Sequence, residues 1–186
     1  MRLISNSDLY DEDQNMSTAH PAALITGGTG GMGLATARLM GHDHRIVLAD
    51  LDRTRLDDAA RELAEAGVEA IGVVCDITDK ASVEQLFQRA ESEGSHVRAV
   101  VHAAGVSPHM GTAERIARIN ATGTVNIARA FLARAADGDA LVNVASTAGH
   151  SIPGSSSRSV LSALPSNDPT TSRKRSSVAR GSSAES

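Results

Sequence analysis

The sequence has no tryptophan, a single cysteine and no excess of basic residues. Because Cys75 is the only cysteine, the chain has no internal disulfide, and its place in an apolar run predicts a buried core thiol and not a nucleophile. The formal net charge is -4, from 18 basic and 22 acidic residues, so the composition gives no indication of nucleic-acid binding.

Long apolar runs are also missing. No run approaches the roughly 20 residues that cross a bilayer, so no membrane segment is expected. The N-terminus is acidic where a secretory signal is basic. We therefore predict a cytoplasmic protein with a disordered leader over residues 1–20, within which Met16 is an alternative start.

A metal site is not expected either. His42 and His44 flank Asp43 before the second predicted strand, but no carboxylate or thiol partner follows at the spacing of metal ligands. We interpret this cluster as a solvated turn.

Short β-branched runs alternate with segments of helical period. The runs predict strands at residues 22–26, 45–49, 70–75, 97–102 and 140–145. Helical period is present over residues 34–40, 56–66, 81–90 and 113–136. Near-continuous apolar strands are typical of a parallel sheet covered on both faces. We predict an α/β fold, a doubly wound parallel sheet of five strands in order 3-2-1-4-5, with its ligand at the carboxyl ends of strands one and four.

The strongest motif is the glycine-rich turn between the first strand and the first helix. Glycine permits positive φ and close approach, while the N–H groups and positive dipole end of a helix attract pyrophosphate. A plain tight connection is the alternative interpretation. Because Asp50 closes the next apolar run, dinucleotide binding is favoured. The turn reads Thr26-Gly27-Gly28-Thr29-Gly30-Gly31-Met32-Gly33.

This Thr-Gly-x-x-x-Gly-x-Gly spacing resembles the glycine motif of the short-chain dehydrogenase/reductase family. The resemblance implies that Asp50 accepts both hydrogen bonds of the adenosine ribose. A phosphate on that ribose would meet a like charge, and neither Thr29 nor Leu51 supplies a basic side chain, so NAD is favoured over NADP. A strand-end or N-cap carboxylate is the alternative role for Asp50. Cofactor contacts from the turn are implied for Thr26, Gly27, Thr29, Gly31, Met32 and Gly33.

Two further motifs resemble the family's cofactor site. Asp76, followed by Ile77, matches the segment that contacts adenine after strand three, while Asp79 is the more natural N-cap of the next helix. His102 replaces an amide of the family's Asn-Asn-Ala-Gly motif, and we interpret it as structural and not as a catalytic base. The second motif reads His102-Ala103-Ala104-Gly105.

Two more motifs resemble the family's catalytic segments. Asn120 and Gly123 match Asn-x-x-Gly, where the asparagine disturbs the helix and holds a water of the proton relay. Ser146, in the segment 143–149, matches the serine that hydrogen-bonds the substrate oxygen. The resemblance implies an NAD-dependent oxidoreductase that interconverts a secondary alcohol and a ketone, with a small-molecule substrate and a homo-oligomeric state.

The resemblance stops at about residue 154. The family's Tyr-x-x-x-Lys pair, which supplies the proton donor, should fall near Ser159 and Ala163, and the only tyrosine is Tyr10. Residues 155–186 are Ser-rich and carry no period, so we predict a disordered tail. We interpret the loss of pattern, motif and length together as a reading-frame change or early terminus near residue 155, which would account for the C-terminal strands and helices that the family has and this sequence lacks. The basic cluster at residues 173–175 has the alternative interpretation of a localisation or nucleic-acid tag.

Three functions therefore compete for the domain predicted over residues 21–154. The first is an enzyme of the family in which Asn120 and Ser146 act with an unusual proton donor. The second is a non-catalytic NAD-binding module that reports redox state to a partner. The third is a truncated product without stable function, which the missing motif favours for this chain.

Overall fold

The computed structural model describes residues 20–146. Residues 1–19 of the predicted leader, the tail over 155–186 and the positions aligned with the family's tyrosine and lysine lie outside the described residues. The chain divides into two compact units, Met1–Val144 and Ala145–Ser186. The fold below is that of the first unit.

A five-stranded parallel sheet forms the centre of this unit. Its order, β3-β2-β1-β4-β5, confirms the predicted order. The strands are β1 Ala22–Thr26, β2 Arg45–Asp50, β3 Ala70–Val74, β4 Val97–His102 and β5 Ala140–Asn143. The helices are α1 Gly31–Met40, α2 Arg53–Glu65, α3 Lys80–Ala90, α4 Ala113–Ala117 and α5 Thr124–Leu132, with a π-helical turn over Arg118–Gly123.

Apolar side chains bury both faces of the sheet. In β1, Leu24 belongs to the cluster that packs against α3 and α5, and Ile25 belongs to the cluster that packs against α1 and α2. Alternate residues of a strand point to opposite faces, so a strand that is apolar throughout is buried on both sides. All five residues of β1 are buried. This burial on both faces fixes the position of β1 in the sheet. At its carboxyl end, the glycine turn contacts the loop after β4.

The helix predicted over residues 113–136 ends too late, and in the structure it is interrupted at the segment that contains Asn120. The structure divides it into α4, the π-helical turn and α5, which ends at Leu132. Gly138 has a φ of 89°, a left-handed conformation, and the Ala136 N–H donates to the Asp139 carboxylate at 2.8 Å. These local interactions turn the chain toward β5 before the helical period ends.

Asp139 joins the segments that lead into β4 and β5. Its side chain is 1% exposed, and its Oδ2 lies 2.6 Å from His96 Nε2. Arg98 Nε lies 3.4 Å from the other carboxylate oxygen. The Ala136 N–H, together with His96 and Arg98, holds the pKa of Asp139 below its ordinary value of 3.8.

We expect Asp139→Asn to reduce the loss of stability in acid. Because folding lowers this pKa, the carboxylate stabilises the fold above pH 3.8, and that contribution is lost as the pH falls from there through the folded pKa. Urea unfolding at a series of pH values should therefore show a shallower acid limb for the variant. Asp137→Asn, an exposed neighbour, is the control. Equal acid slopes for Asp139→Asn and the wild type would contradict this role.

Candidate functional site

The glycine turn brings backbone against backbone at the end of β1. Gly27 has a φ of 67°, which side chains rarely adopt, and a Cβ there would lie 2.8 Å from the backbone N of Ala104. A Cβ on Gly33 would collide with the Gly27 carbonyl oxygen and would lie 2.8 Å from Gly28 Cα. The turn therefore closes only with glycine at both positions.

The N-terminal end of α1, which follows the glycine turn directly, has no side-chain cap. Gly30 is its N-cap and makes no side-chain capping hydrogen bond. A Cβ on Gly31 would meet no heavy atom within 4 Å, and Met32 is exposed. The first N–H groups of a helix attract an anion when no side chain caps them. This arrangement fits the predicted pyrophosphate contact.

Asp50 occupies the corner between the glycine turn and the end of β2. The Thr29 hydroxyl donates to Asp50 Oδ2 at 2.5 Å, and the Leu51 N–H donates to Oδ1 at 2.8 Å. The N-cap of α2 is Asp52, whose carboxylate accepts from Arg55 N, so an N-cap role for Asp50 is excluded. The carboxylate is thus held in place at the mouth of the site.

A cavity of about 700 Å³ runs along the carboxyl edge of the sheet. Its size and position are those of a small-molecule or cofactor site at a topological switch point. Thr26 and His102 lie buried and do not line it. Predicted residues that do line it are Gly27, Asp50, Asp76, Ile77, Ala103, Ala104 and Gly105.

The loop after β3 also lines the cavity. Asp76 Oδ1 accepts from the Thr78 N–H at 2.8 Å, while the Asp79 carboxylate accepts from the Ala81 N–H at 3.0 Å. Asp79 is therefore the N-cap of α3, as predicted, and Asp76 does not perform that role. Cys75 is buried, and burial raises the pKa of its thiol, which disfavours a thiolate nucleophile.

Asn120 lies in the π-helical turn, so the predicted disturbance of the helix is confirmed. Its side chain pairs with both backbone groups of Val106, because Oδ1 accepts from the Val106 N–H and Nδ2 donates to the Val106 carbonyl, each at 2.9 Å. Asn120 itself does not line the cavity, although Val106 does. Its role in holding a relay water stays a prediction.

Ser146 follows the end of β5 by three residues and belongs to the second compact unit. The structure of the first unit therefore leaves its catalytic role as a prediction.

Sequence reasoning missed three arginines that line the cavity. Arg55 lies in the first turn of α2, and its Nη2 donates to the Thr29 carbonyl at 3.1 Å. Arg115 and Arg118 come from α4 and the π-helical turn. The N-cap at Asp52 could have placed Arg55 in the first turn of α2, because an N-cap side chain accepts from the N–H of the second or third helical residue. No sequence signal distinguished the other two from solvated helix positions.

Within residues 20–146, no cluster of His, Cys, Asp and Glu could hold a metal ion. Over the same part of the chain, no helix has the length and apolar character needed to cross a membrane.

Comparison with known sequences identifies one family. A family model described as short chain dehydrogenase matches residues 21–158. The chain is 33% identical over 141 residues to cis-4-hydroxycyclohexanecarboxylate dehydrogenase of Sinomonas cyclohexanicum, covering 70% of this chain and 57% of that protein. It is 33% identical over 110 residues to polyketide synthase GfsA of Streptomyces halstedii, covering 56% of this chain and 2% of that protein. The chain thus spans little more than half of the dehydrogenase and a small part of the synthase.

Solved structures agree with this match. A variant of actinorhodin polyketide ketoreductase with NADPH has a TM-score of 0.63 at 28% identity, covering 76% of this chain and 59% of that chain. NAD+-bound xylitol dehydrogenase has a TM-score of 0.63 at 28% identity, covering 74% of this chain and 57% of that chain.

Proposed function

Since the chain belongs to the short-chain dehydrogenase family, we propose that its cavity at the carboxyl ends of the strands binds NAD. Members of the family are oxidoreductases that bind a nicotinamide dinucleotide and act on small molecules. The reaction proposed for the whole domain is the interconversion of a secondary alcohol and a ketone, in a cytoplasmic homo-oligomer. When bound, the dinucleotide supplies the hydride acceptor or donor.

The glycine turn is the observation that carries this proposal. Gly27 and Gly30 of this turn line the cavity, and no side chain caps the first turn of α1. A pyrophosphate fits such a cradle because it needs close backbone approach and N–H donors. Asp50, at the end of β2, and Asp76, after β3, both line the cavity. These residues would hold the two ends of the adenosine portion.

The preference for NAD follows from the fixed carboxylate of Asp50. A free ribose diol can donate two hydrogen bonds to it, whereas a ribose phosphate would bring a second negative charge against it. Arg55 opposes this preference, because its guanidinium lines the same cavity and is joined to Asp50 through Thr29. The opposing charges of Asp50 and Arg55 therefore set the preference between NAD and NADP.

Titration of the purified chain should show tighter binding of NAD than of NADP by about 1–3 kcal/mol. Asp50→Asn should narrow this gap by removing the like charge. In the Asp50→Asn background, Arg55→Ala should weaken binding of NADP more than binding of NAD, because NADP carries one more phosphate with which the guanidinium can pair.

The titration needs one control variant, and two of its outcomes would contradict the proposal. Arg53→Ala is the matched control, since Arg53 lies on the same helix turn, pairs with Asp57 and does not line the cavity. Tighter binding of NADP by the unaltered chain would overturn the role of Asp50, and absence of binding to either dinucleotide would overturn the proposed function.

A second proposal is that this chain binds the cofactor without turnover. The sequence offers no Tyr-x-x-x-Lys pair after Ser146, and a serine hydroxyl at residue 159 has a pKa far above neutrality. Ser146 would orient a substrate oxygen and Asn120 a relay water, but neither supplies the proton. This observation favours a dinucleotide-binding module over an active enzyme.

We expect no detectable oxidation of simple secondary alcohols by the purified chain with NAD. General acid–base assistance is worth about 10²–10⁴ in rate, and the loss of the tyrosine and the lysine together should cost at least that much. The measurement is NADH formation over hours, with the Ser146→Ala variant as the control. Turnover that disappears in Ser146→Ala would show that another residue donates the proton.

A further inference from the structure

We propose that His102 is a positioning residue that, as its Nε2–H tautomer, ties the end of β1 to the π-helical turn behind the cavity. His102 is 3% exposed and does not line the cavity. Its two ring nitrogens contact two hydroxyl groups, Thr26 Oγ1 at 2.6 Å and Thr124 Oγ1 at 3.0 Å. The ring therefore bridges β1 and the first residue of α5.

The contacts of Thr124 determine which nitrogen carries the proton. A threonine hydroxyl has one hydrogen, and Thr124 donates it to the Asn120 carbonyl at 2.8 Å. Thr124 Oγ1 must therefore accept from His102, which places the ring proton on Nε2. A neutral imidazole has one N–H, so Nδ1 is left as an acceptor.

The contacts of Thr26 agree with that assignment. Thr26 Oγ1 accepts from the Ala104 N–H at 3.3 Å and can donate its own hydrogen to His102 Nδ1. Burial lowers the pKa of His102, which favours the neutral ring. The hydrogen bonds thus run in one direction, from Ala104 to Thr26 to Nδ1 on one side and from Nε2 to Thr124 to Asn120 on the other.

This chain of hydrogen bonds reaches the cavity through Asn120. The Asn120 side chain holds both backbone groups of Val106, and a Cβ on Gly105 would lie 3.3 Å from Asn120 Oδ1. Gly105 and Val106 line the cavity. His102 therefore acts on the cavity wall through the position of Asn120, without touching a ligand.

The tautomer is tested by NMR of the full chain with 15N-labelled histidine. Two-bond 15N–1H correlations distinguish the neutral tautomers and the imidazolium, and the His102 signal is the one lost in His102→Gln. We expect the Nε2–H pattern at pH 7. An Nδ1–H pattern, or an imidazolium, would overturn the proposal.

Paired variants test the positioning role. His102→Gln can place its amide N–H donor near the Nε2 position. The shorter side chain of His102→Asn reaches only the Nδ1 position, where its carbonyl oxygen can accept from Thr26, and it leaves no donor for Thr124. We expect amide hydrogen exchange over residues 118–124 to stay near the wild-type rate in His102→Gln and to rise about tenfold in His102→Asn. Thr124→Val, which keeps the volume and removes the acceptor, should behave like His102→Asn. Equal exchange in all three variants would overturn the proposal.

The link to the cavity rests on the proposed dinucleotide site and has its own measurement. We expect the NAD dissociation constant to rise about threefold to tenfold in His102→Asn and Thr124→Val, and less in His102→Gln. If the wild-type chain binds no NAD, the proposed function fails, while the tautomer and the exchange rates still decide the role of His102.

Discussion

Gly33→Ala should lower the free energy of unfolding by about 3 kcal/mol, the upper part of the usual cost of overpacking. The added Cβ would collide with the Gly27 carbonyl oxygen and would come within 2.8 Å of Gly28 Cα. Both obstacles are backbone atoms of the same turn, so no side chain can move aside. Urea unfolding followed by far-UV circular dichroism measures the change.

Gly31→Ala is the matched control, two residues earlier in the same turn of α1. A Cβ there meets no heavy atom within 4 Å, so we expect stability equal to the wild type or slightly higher. Because Gly31 faces the space above the turn, the same control should weaken NAD binding if the pyrophosphate lies there. Equal stability of the two variants would show that the turn can open to admit a side chain at Gly33.

The fold was largely predictable because it depends on patterns that are local in the chain. Short, near-continuous apolar runs rich in β-branched residues identified the strands, and β4 was predicted with both of its ends, at Val97–His102. The end of α5 was not predictable from period, since residues 133–136 continue the apolar pattern. There the Gly138 conformation and the Asp139 carboxylate decide the path of the chain.

The site was predictable where a motif is contiguous and not where it depends on distant segments. The turn, Asp50 and the loop after β4 are short motifs, and the structure brings them to one cavity. Arg55 was missed because its relation to Asp50 passes through Thr29, 26 residues away in the sequence. The hydrogen bonds of His102 could not be predicted from the sequence either, because Thr26 lies 76 residues before it and Thr124 lies 22 residues after it.

Gly123, the glycine of the Asn-x-x-Gly motif, does not line the cavity but packs against Ile77, which does. A Cβ on Gly123 would lie 2.5 Å from Ile77 Cδ1 and 2.7 Å from Ile77 Cγ1. Ile77 is 7% exposed and lines the cavity beside Asp76. Because Gly123 has no side chain, the end of the Ile77 side chain can occupy the space beside it and does not have to move toward the ligand.

Gly123→Ala should weaken NAD binding about tenfold, which corresponds to a cost within the usual range for overpacking. The added methyl displaces the end of the Ile77 side chain, and because Ile77 lines the cavity, we expect this displacement to narrow the space for the ligand. We expect a smaller effect on stability, because alanine gains up to about 1 kcal/mol over glycine in a helix. Calorimetric titration gives the affinity, and urea unfolding gives the stability of the same samples.

A double-mutant cycle with Ile77→Ala separates this mechanism from a general disturbance of the helix. Ile77→Ala removes the two conflicting atoms and leaves Ile77 Cβ, which lies 3.4 Å from the added methyl, an ordinary contact. In the Ile77→Ala background, Gly123→Ala should therefore change the NAD dissociation constant less than twofold, although Ile77→Ala weakens binding by itself. The same tenfold loss in both backgrounds would mean that Gly123 acts on the cavity through the π-helical turn and not through Ile77.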